Sequence, residues 1–255
     1  MAEQLLAGQH AVVTGGGTGI GRASAEALAA AGAGVTLMGR DEKRLESVAA
    51  ALPGARWQRL DVTDEASVAD AFEAAGSTAP VTILVNNAGG ESTAPFMRTT
   101  VEQWRQMLDV NLTGTFLCTR AALPQMLDAG QGRIINIAST AGLKGYPYTS
   151  AYTASKHGVV GLTRSLALEM ARKPVTVNCV CPGFTDTELV SRSLDRIVEK
   201  TGRSRDQALT EFVKSNPQGR LVEVDEVAAA VVWLALPVNR AITGQSLVVA
   251  GGEIM

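Results

Sequence analysis

The sequence predicts an α/β protein: a doubly wound parallel sheet in three layers, with helices on both faces. Two patterns carry that reading. Short runs rich in Val, Ile and Leu recur along the chain, and longer alanine- and leucine-rich stretches with a 3.6-residue period separate them. A third observation is a glycine-rich turn directly after the first apolar run. A chain of 255 residues, 46% hydrophobic and 19% charged, can bury a full-sized core, which excludes a disordered or collagen-like protein. Residues 1–255 read as a single domain, because Pro, Gly and Ser are spread as turns and never gather into a linker.

In chain order, AVVT at 11–14 is a strand buried on both faces, and 20–31 is the helix that follows it. VTLM at 35–38, VTILVN at 81–86, RIINIA at 133–138, VTVNCV at 175–180 and SLVVA at 246–250 are the further strands. Helices are predicted over 41–52, 64–76, 100–128, 151–172 and 223–236. Strand then helix, repeated with right-handed crossovers, builds an open twisted sheet whose ligands bind outside the carboxyl ends of the strands. Functional residues are therefore expected just after strands. Segment 186–220 is polar and helix-prone, and its length reads as a substrate loop or lid within the domain.

Twenty-three basic against 25 acidic residues give a formal charge of −2, which argues against nucleic acid or an anionic membrane as the main partner. Small molecules are the expected partners. Cys118, Cys179 and Cys181 form no disulfide framework and suggest reduced thiols in a cytoplasmic setting. The opening MAEQLLAGQH has no signal-peptide pattern, and the longest uncharged apolar stretch, 227–238, is far short of the roughly 18 residues of a membrane span. No metal site is expected: the C-x-C of Cys179 and Cys181 has no second cluster, and His10 and His157 lie outside GxSxG and HExxH contexts.

Residues 14–21 read TGGGTGIG, between the first strand and the first helix. Gly15, Thr18, Gly19, Ile20 and Gly21 are the candidate coenzyme contacts. Glycines allow a tight turn and close backbone approach to a pyrophosphate, which then meets free amides and the positive end of the helix dipole. The plain alternative is a glycine-rich turn with no ligand, and the spacing departs from GxGxxG. No Lys-Ser or Lys-Thr follows, so a P-loop is not indicated. No carboxylate ends the second strand to bond a ribose 2′-hydroxyl; Arg40 offers a guanidinium fork suited to a 2′-phosphate, which favours NADP(H) over NAD(H). Arg40 as a solvated loop residue, or Asp41 as both helix cap and ribose contact, stays open.

YTASK at 152–156 puts Tyr152 and Lys156 four apart on one helix face. A phenol of reference pKa near 10 becomes a usable acid/base if an adjacent ammonium lowers it. The ordinary account is a packed Tyr ring beside a snorkelling Lys. Ser139 ends one strand and NNAG at 86–89 closes another, both at the carboxyl edge where ligands bind.

Taken together, TGGGTGIG at 14–21, DV at 61–62, NNAG at 86–89, the Asn of DVNLTG at 111, Ser139, YTASK at 152–156 and CPGFTDT at 181–187 resemble, in order and over essentially the full length, the short-chain dehydrogenase/reductases. The resemblance implies a Rossmann-like fold and an NAD(P)-dependent oxidoreductase that interconverts a ketone and a secondary alcohol. It implies that Tyr152 passes the proton, that Ser139 holds the substrate oxygen, and that Lys156 binds the nicotinamide ribose and depresses the Tyr152 pKa. Asn111 would bend its helix and anchor a water that connects Lys156 to solvent. Asp61 and Val62 would flank the adenine, Asn87, Ala88 and Gly89 the adenosine side, and Pro182, Gly183, Thr185 and Thr187 the nicotinamide amide and phosphates. A homo-oligomer, dimer or tetramer, packed through 100–128 and 151–172 is also implied.

Substrate recognition is expected from 90–97, 140–148 and 184–216. Between 191 and 220, Arg192, Arg196, Lys200, Arg203, Arg205, Lys214 and Arg220 outnumber Asp195, Glu199, Asp206 and Glu211. That excess suits a CoA- or carrier-linked substrate, a 3-oxoacyl or 3-hydroxyacyl thioester or similar β-ketone; a solvated helix with ion pairs is the plain alternative. Leu143, Tyr146, Tyr148 and Phe184 suggest instead a hydroxysteroid or aryl alcohol. A non-catalytic NADP(H)-binding sensor or scaffold would use the same fold but would not need the proton-transfer residues.

Overall fold

In the computed structural model, which describes residues 4–254, strands β1 (His10–Thr14), β2 (Gly34–Gly39), β3 (Arg56–Arg59), β4 (Ile83–Asn86), β5 (Gly132–Ile137), β6 (Val175–Pro182) and β7 (Ser246–Val249) form one sheet. Their order is β3-β2-β1-β4-β5-β6-β7, with every neighbouring pair parallel. Winding changes direction between β1 and β4, and the crevice outside the carboxyl ends at that switch is where such sheets take ligands.

Helices α1 (Gly19–Ala30), α2 (Glu42–Ala51), α3 (Glu65–Gly76), α4 (Val101–Leu108), α5 (Gly114–Asp128), α6 (Ser150–Glu169), α7 (Glu188–Thr201), α8 (Arg205–Val213) and α9 (Val224–Ala235) complete the chain. Leu28 of α1, Leu45 of α2 and Val231 of α9 share one core with the sheet; Phe72 of α3, Met126 of α5 and Ala167 of α6 share the other. Covered on both faces, the central strands are continuous apolar runs, as parallel sheets require.

Two elements differ from the sequence reading. Strand β3, RWQR, has no apolar run because it lies at the sheet edge: Arg56 and Arg59 are exposed, and Trp57 alone reaches the core beside α2. The predicted helix 100–128 is broken by a π-helical turn over Asp109–Thr113, between α4 and α5. Segment 186–220 folds as α7 and α8 around a small core of its own, Val190, Leu194 and Ala208 with Phe212 and Leu221 packed on them. Among the described residues no helix is long and apolar enough to cross a membrane.

Candidate active site

The coenzyme side of the carboxyl edge is made largely of backbone. Thr14, the last residue of β1, accepts hydrogen bonds at Oγ1 from the amides of Asn87 and Ala88, both at 3.0 Å, and the Asn87 amide group donates to the carbonyls of Thr14 and Gly15 at 3.1 and 3.2 Å. Gly15 has φ +65°, and a Cβ on Gly21 would lie 2.3 Å from the Gly15 carbonyl oxygen, so only glycine closes this turn. Thr18 N-caps α1 without a side-chain hydrogen bond, and no acidic residue occupies the first turn. Helices α2, α3, α4, α7 and α8 are all capped by side chains. The free amides from Gly19 to Gly21 and the tight cradle beneath them fit a diphosphate.

From the opposite side, the segment after β6 comes down on this turn: a Cβ on Gly19 would lie 3.3 Å from the Thr187 methyl. Thr185 donates to the Gly183 carbonyl at 3.0 Å, and Thr187 caps α7 by accepting from the Val190 amide at 3.4 Å. Arg44 of α2 lies beside Gly17 and pairs with Glu188 of α7 at 3.0 Å, an ion pair that the sequence offered no reason to expect.

At the end of β2, Asp41 caps α2, accepting from the Arg44 amide at 3.2 Å. Arg40 is exposed and forms no ion pair among the described residues. Asp61 accepts from the Thr63 amide and hydroxyl at 3.0 and 2.7 Å, which lowers its pKa, and nearby Arg40 and Arg59 add to the effect. Asp64 caps α3, accepting from the amides of Ala66 and Ser67. Val62 is buried against Gly114, where a Cβ would come within 2.8 Å.

Helix α6 packs on β6 and carries Lys156, with Tyr152 one turn before it, to the end of β5. The Lys156 side chain is buried, 6% exposed; its Nζ donates to the Ile137 carbonyl at 2.8 Å and lies 5.7 Å from the Tyr152 ring centroid. Ser139 lies close enough to Tyr152 to act on its phenol, and its Oγ accepts from the Ala141 amide at 3.0 Å. The electrostatics correct one expectation: Lys156 does not depress the phenol here. Burial pushes Tyr152 up to about 12, against the pull of Ser139, and burial brings Lys156 down to about 8. A low-dielectric setting penalises the charged form of both groups, the phenolate and the ammonium alike.

Asn111 sits in the π-turn. Its Oδ1 accepts from the Gly90 amide at 3.0 Å, and its Nδ2 donates to the Gly90 carbonyl at 3.0 Å and to Ser155 Oγ at 3.2 Å. Ser155 in turn donates to the Tyr152 carbonyl at 2.7 Å. The turn therefore fixes the loop after β4 to the helix that carries Tyr152. Ser155 was not singled out in the sequence, although its place within YTASK was the available signal.

On the substrate side, Tyr146 meets Phe184 edge-on at 6.2 Å between centroids, and Phe184 meets Phe212 of α8 at 4.8 Å. Leu143 packs instead into a small core with Ala138 and Val160. Tyr148 is 66% exposed; its carbonyl accepts from the Ala94 amide at 2.9 Å, joining the two predicted substrate loops. Ser193 of α7 donates to Glu91 at 2.8 Å. Arg205 pairs with Asp195, and Arg220 with Glu226, whereas Arg192, Arg196, Arg203 and Lys214 are exposed without an ion pair among the described residues.

Among known proteins, the family model described as short chain dehydrogenase matches residues 9–197. The chain is 42% identical over 252 residues to a protein named as ketoacyl reductase 1 of the granaticin polyketide synthase of Streptomyces violaceoruber, covering 95% of this chain and 92% of the relative. It is 39% identical over 250 residues to a D-β-hydroxybutyrate dehydrogenase of Rhizobium meliloti, with 95% and 97% covered. A variant of actinorhodin polyketide ketoreductase, crystallised with NADPH, superposes with a TM-score of 0.92 at 36% identity, over 99% of both chains.

Proposed function

The chain belongs to the short chain dehydrogenase family, and on that premise we propose that it is an NADP(H)-dependent ketoreductase in which Tyr152 passes the proton between a ketone and its secondary alcohol. The observation that carries this is the meeting of Ser139, Tyr152 and Lys156 at the carboxyl edge, beside a glycine turn whose helix amides lack side-chain caps. When bound, the coenzyme supplies or takes up the hydride at its nicotinamide ring.

Gly15, Thr18, Gly19, Ile20 and Gly21 hold the diphosphate, Arg40 reads the 2′-phosphate, and Asp61, Val62 and Asn87 to Gly89 line the adenosine side. The segment Pro182, Gly183, Thr185 and Thr187 closes over the nicotinamide end. Ser139 and Tyr152 donate to the carbonyl oxygen, stabilising the charge that develops there. With its pKa near 12, Tyr152 stays protonated at neutral pH and is poised as the acid of the reductive direction. Lys156 presents its remaining donors to the nicotinamide ribose. Asn111 positions these groups through Gly90 and Ser155.

The unpaired Arg192, Arg196, Arg203 and Lys214 on the lid formed by 186–220 support a 3-oxoacyl thioester carried by CoA or an acidic carrier. A second reading, an uncharged ring ketone, is favoured by the aromatic row Tyr146, Phe184 and Phe212. NAD(H) is the alternative coenzyme. Exposed Phe116 of α5 and Leu168 of α6 support a homo-oligomer.

Turnover of acetoacetyl-CoA and of cyclic ketones with NADPH tests the reading. Tyr152→Phe should lower kcat/KM by about 10²- to 10⁴-fold while NADPH binding, followed by coenzyme fluorescence, persists. NADPH binding with no turnover of either class would instead mark a coenzyme sensor.

A further inference from the structure

The last residues carry a carboxylate that neither coenzyme binding nor proton transfer uses. The Glu253 side chain is 1% exposed, and its Oε1 lies 3.1 Å from Lys144 Nζ and 2.5 Å from the Tyr146 hydroxyl. Burying an unpaired carboxylate is strongly unfavourable, so these two partners are what keep it there. Lys144 Nζ also lies 4.9 Å from the Tyr146 ring centroid, closing a carboxylate, phenol and ammonium cluster.

The chain reaches this position by a path only glycines permit. Gly251 and Gly252 have φ +59° and +92°, and a Cβ on Gly251 would lie 2.1 Å from Asn216 Oδ1 at the end of the lid. A Cβ on Gly183, at the exit of β6, would lie 3.1 Å from Glu253 Oε2. The tail is thus threaded between the lid and the sheet, with Glu253 at the far end of the thread.

Tyr146 is what the carboxylate holds. Its hydroxyl also lies 2.7 Å from Thr140 Oγ1, the residue next to Ser139, and its ring edge meets Phe184. Burial first, and then Glu253, keep this phenol protonated well above the usual tyrosine range, so it stays a donor to the carboxylate. A tyrosine on a loop otherwise moves among rotamers; bonded at its hydroxyl to the tail and packed at its edge on Phe184, it becomes a fixed wall.

We propose that Glu253 is a positioning residue for the substrate: by fixing Tyr146 against Thr140 and Phe184, it sets which ketones fit against that wall. The inference rests on the ketoreductase reading above. It assigns no part of the chemical step to Glu253, which predicts an effect on KM and on substrate preference but not on kcat.

The test compares Glu253→Gln, Glu253→Ala, Tyr146→Phe and the double variant Glu253→Ala/Tyr146→Phe. KM and kcat are measured with NADPH and a cyclic ketone, and binding of the same ketone is measured to protein loaded with NADP⁺, which cannot reduce it. Glu253→Ala and Tyr146→Phe should each raise KM and the ketone dissociation constant about tenfold, the loss of one charged hydrogen bond, with kcat within about threefold and NADPH affinity unchanged. The double variant should be no worse than either single one, because both remove the same contact. Glu253→Gln keeps the shape and an acceptor for Tyr146, and should restore binding to within about threefold of the unsubstituted enzyme. Additive effects, an unchanged KM, or a parallel loss of NADPH affinity would overturn the proposal and leave Glu253 as a staple of the tail. Failure of the unsubstituted protein to turn over any ketone strikes the ketoreductase reading instead, and the binding measurement still decides the role of Glu253.

Discussion

The coenzyme side and the substrate side of this carboxyl edge are built from different materials. Around the glycine turn, fit is decided by backbone: Gly15 and Gly21 leave no room for a Cβ, and Thr14 ties the amides of Asn87 and Ala88 to β1. Around the substrate, fit is decided by side chains drawn from distant parts of the chain, Tyr146 with Glu253, Glu91 with Ser193, and Phe184 with Phe212. Backbone fit admits almost no variation, because the neighbouring atoms cannot move independently. Side-chain fit can be retuned one residue at a time, which suits a fold that hosts many different functions.

The sharpest test of that contrast is Gly21→Ala. Its added Cβ would fall 2.3 Å from the Gly15 carbonyl oxygen and 2.4 Å from Asn87 Nδ2, so the turn itself must shift. A loss of about 3 kcal/mol is expected, roughly 6–12 °C in thermal unfolding, together with loss of NADPH binding. A coenzyme titration and a melting curve check both; retained NADPH affinity would show that the turn is softer than its geometry implies.

Lys156 tests the boundary between the two sides. Its pKa, brought from 10.5 to about 8 by burial, means that the ammonium destabilises the fold by about 3 kcal/mol at neutral pH, at about 1.4 kcal/mol per unit. Between pH 8 and 10.5 the unfolded chain binds more protons at this lysine than the folded one does, so stability from this group rises with pH in that window. Tyr152, raised to about 12, acts oppositely: above pH 10 the unfolded phenol ionises first and its contribution falls. Lys156→Met should therefore melt above the unsubstituted protein at pH 7, with the gap narrowing from pH 8 towards 10. A gap independent of pH would mean that Lys156 is not held as a strained cation. Such a cost is what a buried cation imposes on the fold that carries it.

Arg40→Ala has a smaller expected effect because the guanidinium is exposed and screened. NADPH affinity should drop about tenfold, with NADH affinity unchanged, in parallel fluorescence titrations. Equal losses for both coenzymes would remove Arg40 as the reader of the 2′-phosphate.

The same division explains what the sequence made legible. The buried strands could be read because two covered faces demand continuous apolar runs, and the glycine turn because backbone constraints write themselves into a short motif. Strand β3 was missed because an edge strand needs only Trp57 inside. The π-turn at Asp109–Thr113 left no mark in the helical spacing of 100–128; only the family resemblance pointed to a bend at Asn111, whose partners Gly90 and Ser155 lie in other elements. Motif order singled out Ser139, Tyr152 and Lys156, which the fold brings together, yet it gave no direction for the Tyr152 shift. That direction depends on how deeply the pair is buried, and spacing along a helix carries no information on that. Glu253 and Ser193 gave no signal at all, since their partners lie 107 and 102 residues away.

The smallest expected effect lies on the substrate side and has the opposite sign. Tyr148 has φ +67°, a left-handed conformation that costs a side-chain-bearing residue about 1–2 kcal/mol. Its ring is 66% exposed, so packing returns little of that, and the bond that matters, from the Ala94 amide to its carbonyl, belongs to the backbone. Tyr148→Gly relieves the strain but adds freedom to the unfolded chain, worth about 0.5–1 kcal/mol, so the net gain is roughly 0–1.5 kcal/mol, a rise of a few degrees at most in calorimetry. Strained residues persist where a site requires their geometry, and here the strain joins the loop after β4 to the loop that carries Tyr146. The variant should therefore melt slightly higher while KM for the ketone rises about two- to threefold. A lower melting temperature would show that the exposed ring packs on something after all, and an unchanged KM would confine substrate fit to the Tyr146 wall alone.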